Sequence, residues 1–477
     1  METEFFHSLR KEEKLKDFIF LREFDEYSTL LIRTLPWTIL RISKSEVEKV
    51  KKIIIEERAD IDEKLYYKLK QYGFVGDICI PRYGDFVTVL LILTTNCNLR
   101  CKYCLAGEGT YGTERTVMSK EVIDHAILYV KRKLTNYIKK VKNIDEVPFG
   151  IFFFGGEPLL YPKHIKYTIN RAKEAAKEIS ENEGVKVKVV SSISTNGTLI
   201  SDDIAEFCAK NDIEVIVSID GPDHDKYRIY ANGNGSLKDA IKGFKILRKY
   251  NVLTRVNSVI PSNEIDKIEE RVRWFKETLL PEPSDRVYIT FSFVRGLVGN
   301  AKDVRNMLHD CICKHFYTKE FIQKFVEQIL KLVEEGYLTY EIEMLRKIEM
   351  GGMLYKCLAG IERIAIMPDG SVYPCQSFVD EKFKLGNIKD RNFDHLKSPI
   401  VKDLLMKRTF LNLEPCKDCW LQSICSLRFD CPSHSYYDHG GLFNVDKEAC
   451  AAGYIIQSKI LERLIKVRLE SKKRNKV

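Results

Sequence analysis

Between about residues 87 and 300, apolar segments alternate with amphipathic helices, and a chain patterned this way is driven toward a parallel sheet covered by helices. The strand candidates are Val87–Thr94, Phe149–Phe154, Val187–Ile193, Glu214–Ile219, Thr254–Ile260 and Val287–Phe293. Helices are predicted after Ser119, after Ser201 and from Leu237 to Lys249. Six such strands suit an incomplete (β/α)6 TIM-like barrel of the α/β class better than the eight-stranded form. Sites in these folds gather at the carboxyl ends of the strands.

The flanking segments read differently. Residues 1–86 form a small α+β module, with strands at Ser28–Arg33 and Pro36–Ile42. Ser45-x-x-Glu48 has the form of a capping box that opens a helix burying Val47, Val50 and Ile54. A second helix, about Asp62 to Tyr72, ends at Gly73. Strands followed by two helices give a winged-helix-like pattern, which serves either as packing for the core or as a leader-peptide-binding module. Residues 301–350 read as a helical bridge with Phe321, Phe325, Ile329 and Leu332 on one face. From 351 to 460 periodicity weakens and cysteine density rises, as in a domain held by clusters more than by an apolar core. Residues 461–477 read as a basic, solvated tail.

No uninterrupted apolar run is long enough to span a bilayer, and the N-terminus lacks the apolar stretch of a signal peptide, so a cytoplasmic protein without a membrane partner is expected. The chain has a net charge of +9, and its visibly basic C-terminus reads as a solvated tail, so no nucleic-acid partner is expected. Fourteen cysteines in a reducing compartment point to metal or redox chemistry rather than disulfides. Ten of them fall in two groups, Cys97 to Cys104 and Cys357 to Cys450.

The first strand runs directly into Thr94-Thr95-Asn96-Cys97-Asn98-Leu99-Arg100-Cys101-Lys102-Tyr103-Cys104. The C-x3-C-x2-C spacing sets three thiolates on one short loop. Three protein ligands leave one iron of a four-iron cluster open, whereas electron-transfer clusters are closed by four. An open iron can chelate the amino and carboxylate groups of S-adenosylmethionine (SAM), and reduction then releases a 5′-deoxyadenosyl radical. A zinc loop is the competing reading. It calls for a fourth Cys or His nearby, and none follows before His125.

CNLRCKYC, with an aromatic residue before the third cysteine, resembles the signature of the radical SAM superfamily. The resemblance implies Cys97, Cys101 and Cys104 as cluster ligands and Tyr103 as a cofactor contact. Gly155-Gly156-Glu157-Pro158, at the end of the second strand, is similar to the GGEP motif whose backbone and carboxylate receive the SAM ammonium. Ser194-Thr195-Asn196-Gly197 ends the third strand with side chains suited to ribose or carboxylate contact. Ser218-Ile219-Asp220-Gly221-Pro222, with His224, Asp225 and Arg228, resembles a segment of the same branch. Arg228 is expected to pair with the SAM carboxylate. Asp220 is either a turn-capping residue or a catalytic group.

Cys357 and Cys375, then Cys416-x2-Cys419-x5-Cys425-x5-Cys431 and Cys450, resemble the seven-cysteine SPASM domain, which houses two auxiliary four-iron clusters. Carried over by position, Cys416, Cys419, Cys425 and Cys450 hold the outer cluster, and Cys357, Cys375 and Cys431 the inner one. Five residues, Ser426 to Asp430, precede Cys431 where the family has three. No further cysteine lies between Cys357 and Cys375, so the inner cluster either keeps an open iron or is completed by Cys311 or Cys313. Those two, with Cys79 and Cys208, otherwise read as plain thiols. SAM and three [4Fe–4S] clusters are thereby implied, with an electron donor such as ferredoxin or flavodoxin.

Enzymes of this type act mostly on peptides or proteins. Members that form formylglycine place an aspartate base directly after the second SPASM cysteine; here Gln376 stands there, and a carboxamide cannot take the proton. The stretch Tyr373 to Val379 and Phe383 to Asn387 is more similar to thioether-forming peptide maturases, and thioether crosslinking is the expected reaction. The alternatives are oxidation of a substrate Ser or Cys, carbon–carbon crosslinking, or a zinc-stabilised nucleic-acid-binding protein.

Overall fold

The computed structural model describes residues 12–77, 84–85, 87–141, 144–280, 288–293, 319–335, 353–355, 357–425, 431–445 and 447–474. Cys79, Cys311 and Cys313 lie outside them, as does Val287. The chain divides into two units. One comprises Met1–Pro81, Tyr317–Cys357 and Met406–Val477, the other Arg82–Phe316 and Leu358–Leu405.

In the first unit, β1 (Glu12–Lys16), β2 (Ile19–Glu23), β3 (Ser28–Thr34) and β4 (Trp37–Ser43) form an antiparallel meander. The last two occupy the segments expected from the sequence. The first two were not legible there: β1, Glu-Glu-Lys-Leu-Lys, has one apolar residue, and the turn to β2 places Phe18 at φ +63. A helix follows at Val47–Glu56. The capping box is formed by Ser43 and Glu46, not by Ser45 and Glu48, and opens the short 3-10 turn Lys44–Glu46 that leads into this helix, with Ser43 N–H donating to Glu46 Oε2 at 3.3 Å. The next helix, Glu63–Gln71, begins where Asp62 Oδ1 accepts the Leu65 N–H at 3.0 Å. Ile19, Leu31, Val50, Ile54 and Leu69 meet in the core between sheet and helices. The module is therefore a four-stranded sheet with two helices, larger than the two strands expected.

The same unit joins this sheet to the segment after Cys419. The buried Arg22 guanidinium lies 4.6 Å from the Trp420 ring and bonds Tyr454 Oη at 2.8 Å and Glu462 Oε1 at 2.6 Å. Gln422 Nε2 donates to Thr34 Oγ1 at 2.8 Å. The helix Lys319–Glu334 buries Ile329 and Leu332 as expected; the side chains of Phe321 and Phe325 lie outside those described. The expected tail is corrected: residues 461–474 continue the helix Lys447–Arg474.

In the second unit, β5 (Thr88–Thr94), β6 (Glu146–Gly155), β7 (Lys186–Thr195), β8 (Ile213–Ser218), β9 (Thr254–Ile260) and β10 (Tyr288–Phe293) run parallel and in sequence order. This is the six-stranded partial barrel read from the pattern. Ser119 and Ser201 accept the N-cap hydrogen bonds of helices Lys120–Lys140 and Asp202–Lys210. Alternation along β5 sends Val89, Leu91 and Leu93 into the core beneath the helices, while Leu90 and Ile92 join Phe152 and Phe154 on the other face.

The sheet continues past β5. β11 (Arg363–Ile366) pairs with it in parallel, and β12 (Ser371–Tyr373) and β13 (Gly386–Asn387) add on antiparallel. By compactness, Leu358–Leu405 groups with this sheet and Met406–Val477 with the first unit. The former segment shields the open edge of β5 with Ile364, Ala365 and Ile366, all fully buried. No helix among the described residues is long and apolar enough to cross a membrane.

Candidate active site

The loops leaving β5, β6 and β7 are hydrogen-bonded into one body. The cysteine loop is held along its length: Thr95 N–H donates to Thr116 O at 3.0 Å, Arg100 N–H to Ile229 O at 2.7 Å and Lys102 N–H to Tyr227 O at 2.9 Å. From β6, Gly156 N–H donates to Thr94 O and Glu157 N–H to Asn96 O, both at 2.8 Å. The two backbones meet so closely that a Cβ on Gly156 would stand 2.1 Å from Asn96 O. One on Gly109 would be 2.8 Å from Gly156 Cα. The glycines are there for contact between loops as well as for access to a ligand.

Glu157 is 1% exposed, and its carboxylate is a bracket between strands. Oε1 accepts from Thr195 Oγ1 at 2.7 Å and from Leu159 N–H at 3.0 Å, and Oε2 from Asn196 N–H at 2.8 Å. Burial pushes its carboxyl up to about 7, against the pull of those donors. Pro158 is buried at the start of the short turn that follows. Asn196 Nδ2 donates to Asn98 Oδ1 at 2.8 Å, so the β7 loop grips the residue after Cys97. Ser194 and Ser218 lie at the ends of β7 and β8, half-buried.

Asp220, Arg228 and Tyr103 are brought together. Asp220, 1% exposed, accepts from Tyr103 Oη and, at 2.9 Å, from Arg228 Nε on one oxygen, and from Val259 N–H at 2.8 Å on the other. Burial alone would raise its carboxyl, but the Arg228 charge, His224 and the hydrogen bonds outweigh that and hold it below the usual carboxylate range. Arg228 also lies 5.2 Å from the Tyr103 ring. Of the two readings of Asp220, these contacts favour the residue that braces the loop. Arg228 commits its Nε to that carboxylate.

Burial pushes the Cys97 and Cys101 thiols up to about 12 and raises Cys104 as well. A thiol so placed gives up its proton readily only to a metal, which binds it as thiolate. In the same loop Leu99 N–H donates to Cys97 Sγ at 3.5 Å, an outer-sphere donor of the kind that tunes metal-bound sulfur. In a four-iron cluster, each thiolate serves a different iron. The donor set fits an iron–sulfur cluster.

The turn wrapping Cys104 was not foreseen. Gly107, Glu108 and Gly109 follow one another in left-handed conformation, at φ +50, +55 and +87, and Tyr111 adopts φ +55. The glycines at 107, 109 and 112 were its only signal in the sequence. Asn98 was also missed, because its role depends on a partner almost a hundred residues away.

Of the remaining cysteines, Cys375 is buried just after β12 in the second unit. Cys357, Cys416, Cys419, Cys425, Cys431 and Cys450 belong to the first, and none of the described cysteines forms a disulfide. Cys416 packs with Phe410, Leu413, Phe443 and Val445. Gln457 Nε2 donates to Cys425 Sγ at 3.5 Å. Cys208 is fully buried in its helix, a plain core thiol as read.

Residues 91–275 match the model of the radical SAM superfamily, and residues 357–420 that of the iron–sulfur cluster-binding domain SPASM. The chain is 26% identical over 394 residues to the radical SAM cyclopropyl synthase TigE of Paramaledivibacter caminithermalis, covering 79% of this chain and 74% of that one. It is also 26% identical over 349 residues to the cysteine-type anaerobic sulfatase-maturating enzyme of Clostridium novyi, covering 70% and 84%. The solved structure of anSMEcpe with bound AdoMet shares the fold at a TM-score of 0.59 and 21% identity, covering 80% of this chain and 98% of that one.

Proposed function

This chain is a radical SAM enzyme with a SPASM domain, and from that premise we propose that it modifies a peptide or protein by linking a cysteine sulfur to a carbon of the substrate. When bound, SAM and its cluster supply a 5′-deoxyadenosyl radical able to take hydrogen from unactivated carbon.

The chain's own residues divide the remaining work. Cys97, Cys101 and Cys104 hold the cluster. The main chain of Gly155 and Gly156 receives the cofactor's ammonium, while Glu157, with both oxygens engaged by Thr195, Asn196 and Leu159, fixes the strand ends around it. Ser194 and Ser218 are placed for its polar groups. Asp220, Tyr103 and Arg228 keep the cysteine loop rigid and dry. Cys416, Cys419, Cys425 and Cys450 hold an outer auxiliary cluster, and Cys357, Cys375 and Cys431 an inner one, for three clusters in all. The four-stranded sheet ends in the edge strand β4, to which an extended leader segment could add. Electrons come from a ferredoxin or flavodoxin.

The observation that carries the thioether reading is Gln376 directly after Cys375: no carboxylate stands there to remove the proton that aldehyde formation releases. A three-cysteine inner set supports it by leaving an iron for a substrate thiolate. The test is mass spectrometry of a cysteine-containing precursor peptide after anaerobic incubation with SAM and reductant. A thioether costs the peptide two hydrogens and leaves its cysteine unable to react with iodoacetamide. The same mass loss with a thiol still open to alkylation is a carbon–carbon bond, in line with the cyclopropyl synthase relative, and overturns the sulfur linkage. An aldehyde captured by hydrazide supports oxidation instead.

A further inference from the structure

Tyr111 has no part in the scheme above, and its setting is unfavourable on two counts. The residue is 3% exposed, and its hydroxyl meets no hydrogen-bond partner among the described residues, a state that calls for an explanation in a native protein. Its backbone holds φ +55, the left-handed region that a bulky residue rarely enters. The loop imposes both: Tyr111 N–H donates to Ala106 O at 2.7 Å and Thr110 N–H to Gly107 O at 3.1 Å. The ring sits on the inner face of the sheet with Leu90, Ile92, Tyr373 and Val379, and Cys104 packs against the same cluster. That wall is apolar apart from the Tyr373 hydroxyl, and Cys104 is the cluster ligand packed against it.

We propose that the Tyr111 hydroxyl donates a hydrogen bond to a sulfur of the iron–sulfur cluster held by Cys104, and thereby raises that cluster's reduction potential. This rests on the radical SAM reading and adds a tuning residue to it. Cys104 is favoured over Cys375 because Tyr111 and Cys104 bound one tightly closed turn. Reduction adds negative charge to the cluster, and a donor dipole aimed at sulfur favours that state.

Tyr111→Phe keeps the ring and removes the donor. Holoenzyme and variant are titrated anaerobically with titanium(III) citrate and followed by electron paramagnetic resonance with and without SAM. The signal that SAM perturbs belongs to the cluster on Cys97, Cys101 and Cys104. Its midpoint is expected to move to more negative potential in Y111F at unchanged iron content. Fluorotyrosine at position 111, a stronger donor of nearly the same size, is expected to move it the other way. An unmoved midpoint in both proteins overturns the hydrogen bond, as does a shift confined to a SAM-insensitive signal. Absence of any SAM-sensitive signal from the wild-type holoenzyme overturns the radical SAM reading, and this inference with it.

Discussion

A carboxylate that accepts a substrate proton must touch the substrate, and Asp220 instead touches Tyr103, Arg228 and the Val259 amide. Asp220→Asn would leave the Arg228 guanidinium buried without its counter-charge, a loss of about 3–5 kcal/mol. The expected outcome is a lower melting temperature together with poorer iron retention. A D220N protein with wild-type stability and iron but no turnover would restore the base. This residue shows where reading the sequence stopped. The SxDGP segment marked Asp220 as important. Its role was set by Tyr103, 117 positions away, and no local pattern encodes that pairing. The cysteines were legible because metal ligation depends on spacing along a single loop.

At the scale of elements, the ends of β5 and β6 depend on a contact without room for side chains. Gly156→Ala would drive a methyl group against the Asn96 carbonyl, so the loops must part, and the variant is expected to lose its broad absorbance near 400 nm. Gly184→Ala is the control: at φ +68 with nothing within 4 Å of the added Cβ, it carries only the left-handed strain of about 1–2 kcal/mol and should keep its iron. A second prediction concerns the helix Lys120–Lys140. Its Tyr129 Oη meets His395 Nδ1 at 2.5 Å, and His395 Nε2 lies 2.8 Å from Ile361 O. Burial depresses the imidazole from 6.5 to about 4. Below pH 6.5 the unfolded chain therefore binds a proton that the folded chain refuses until about pH 4. This contribution, on the order of 3 kcal/mol, is full at pH 7 and lost as the pH falls through that window. Denaturant unfolding at pH 7 and 5 should show a smaller pH dependence in His395→Asn. The six barrel strands were readable because each carries apolar residues, in a run as in β5 or at alternate positions as in β9, between amphipathic helices. β1, β11 and β13 were not, being short or charged and stabilised only by a neighbour.

Across the whole molecule, the cysteines share out between two units in a way their spacing did not reveal. Cys375 belongs with the barrel sheet, while the set from Cys416 to Cys450 belongs with the N-terminal strands. The boundary was hidden because β11 extends the barrel sheet from a segment that looks, by composition, like part of a cysteine-rich domain. Purified without oxygen, the protein is expected to carry about twelve irons with matching sulfide, falling by about four in Cys101→Ala. The account stands most directly on the open iron beside Cys97, Cys101 and Cys104. The deciding measurement is chromatographic quantification of 5′-deoxyadenosine after anaerobic incubation of the reconstituted protein with SAM and dithionite. Release of deoxyadenosine and methionine by the wild type, and none by C101A, is the predicted result. An iron-replete wild type that releases no deoxyadenosine would contradict it.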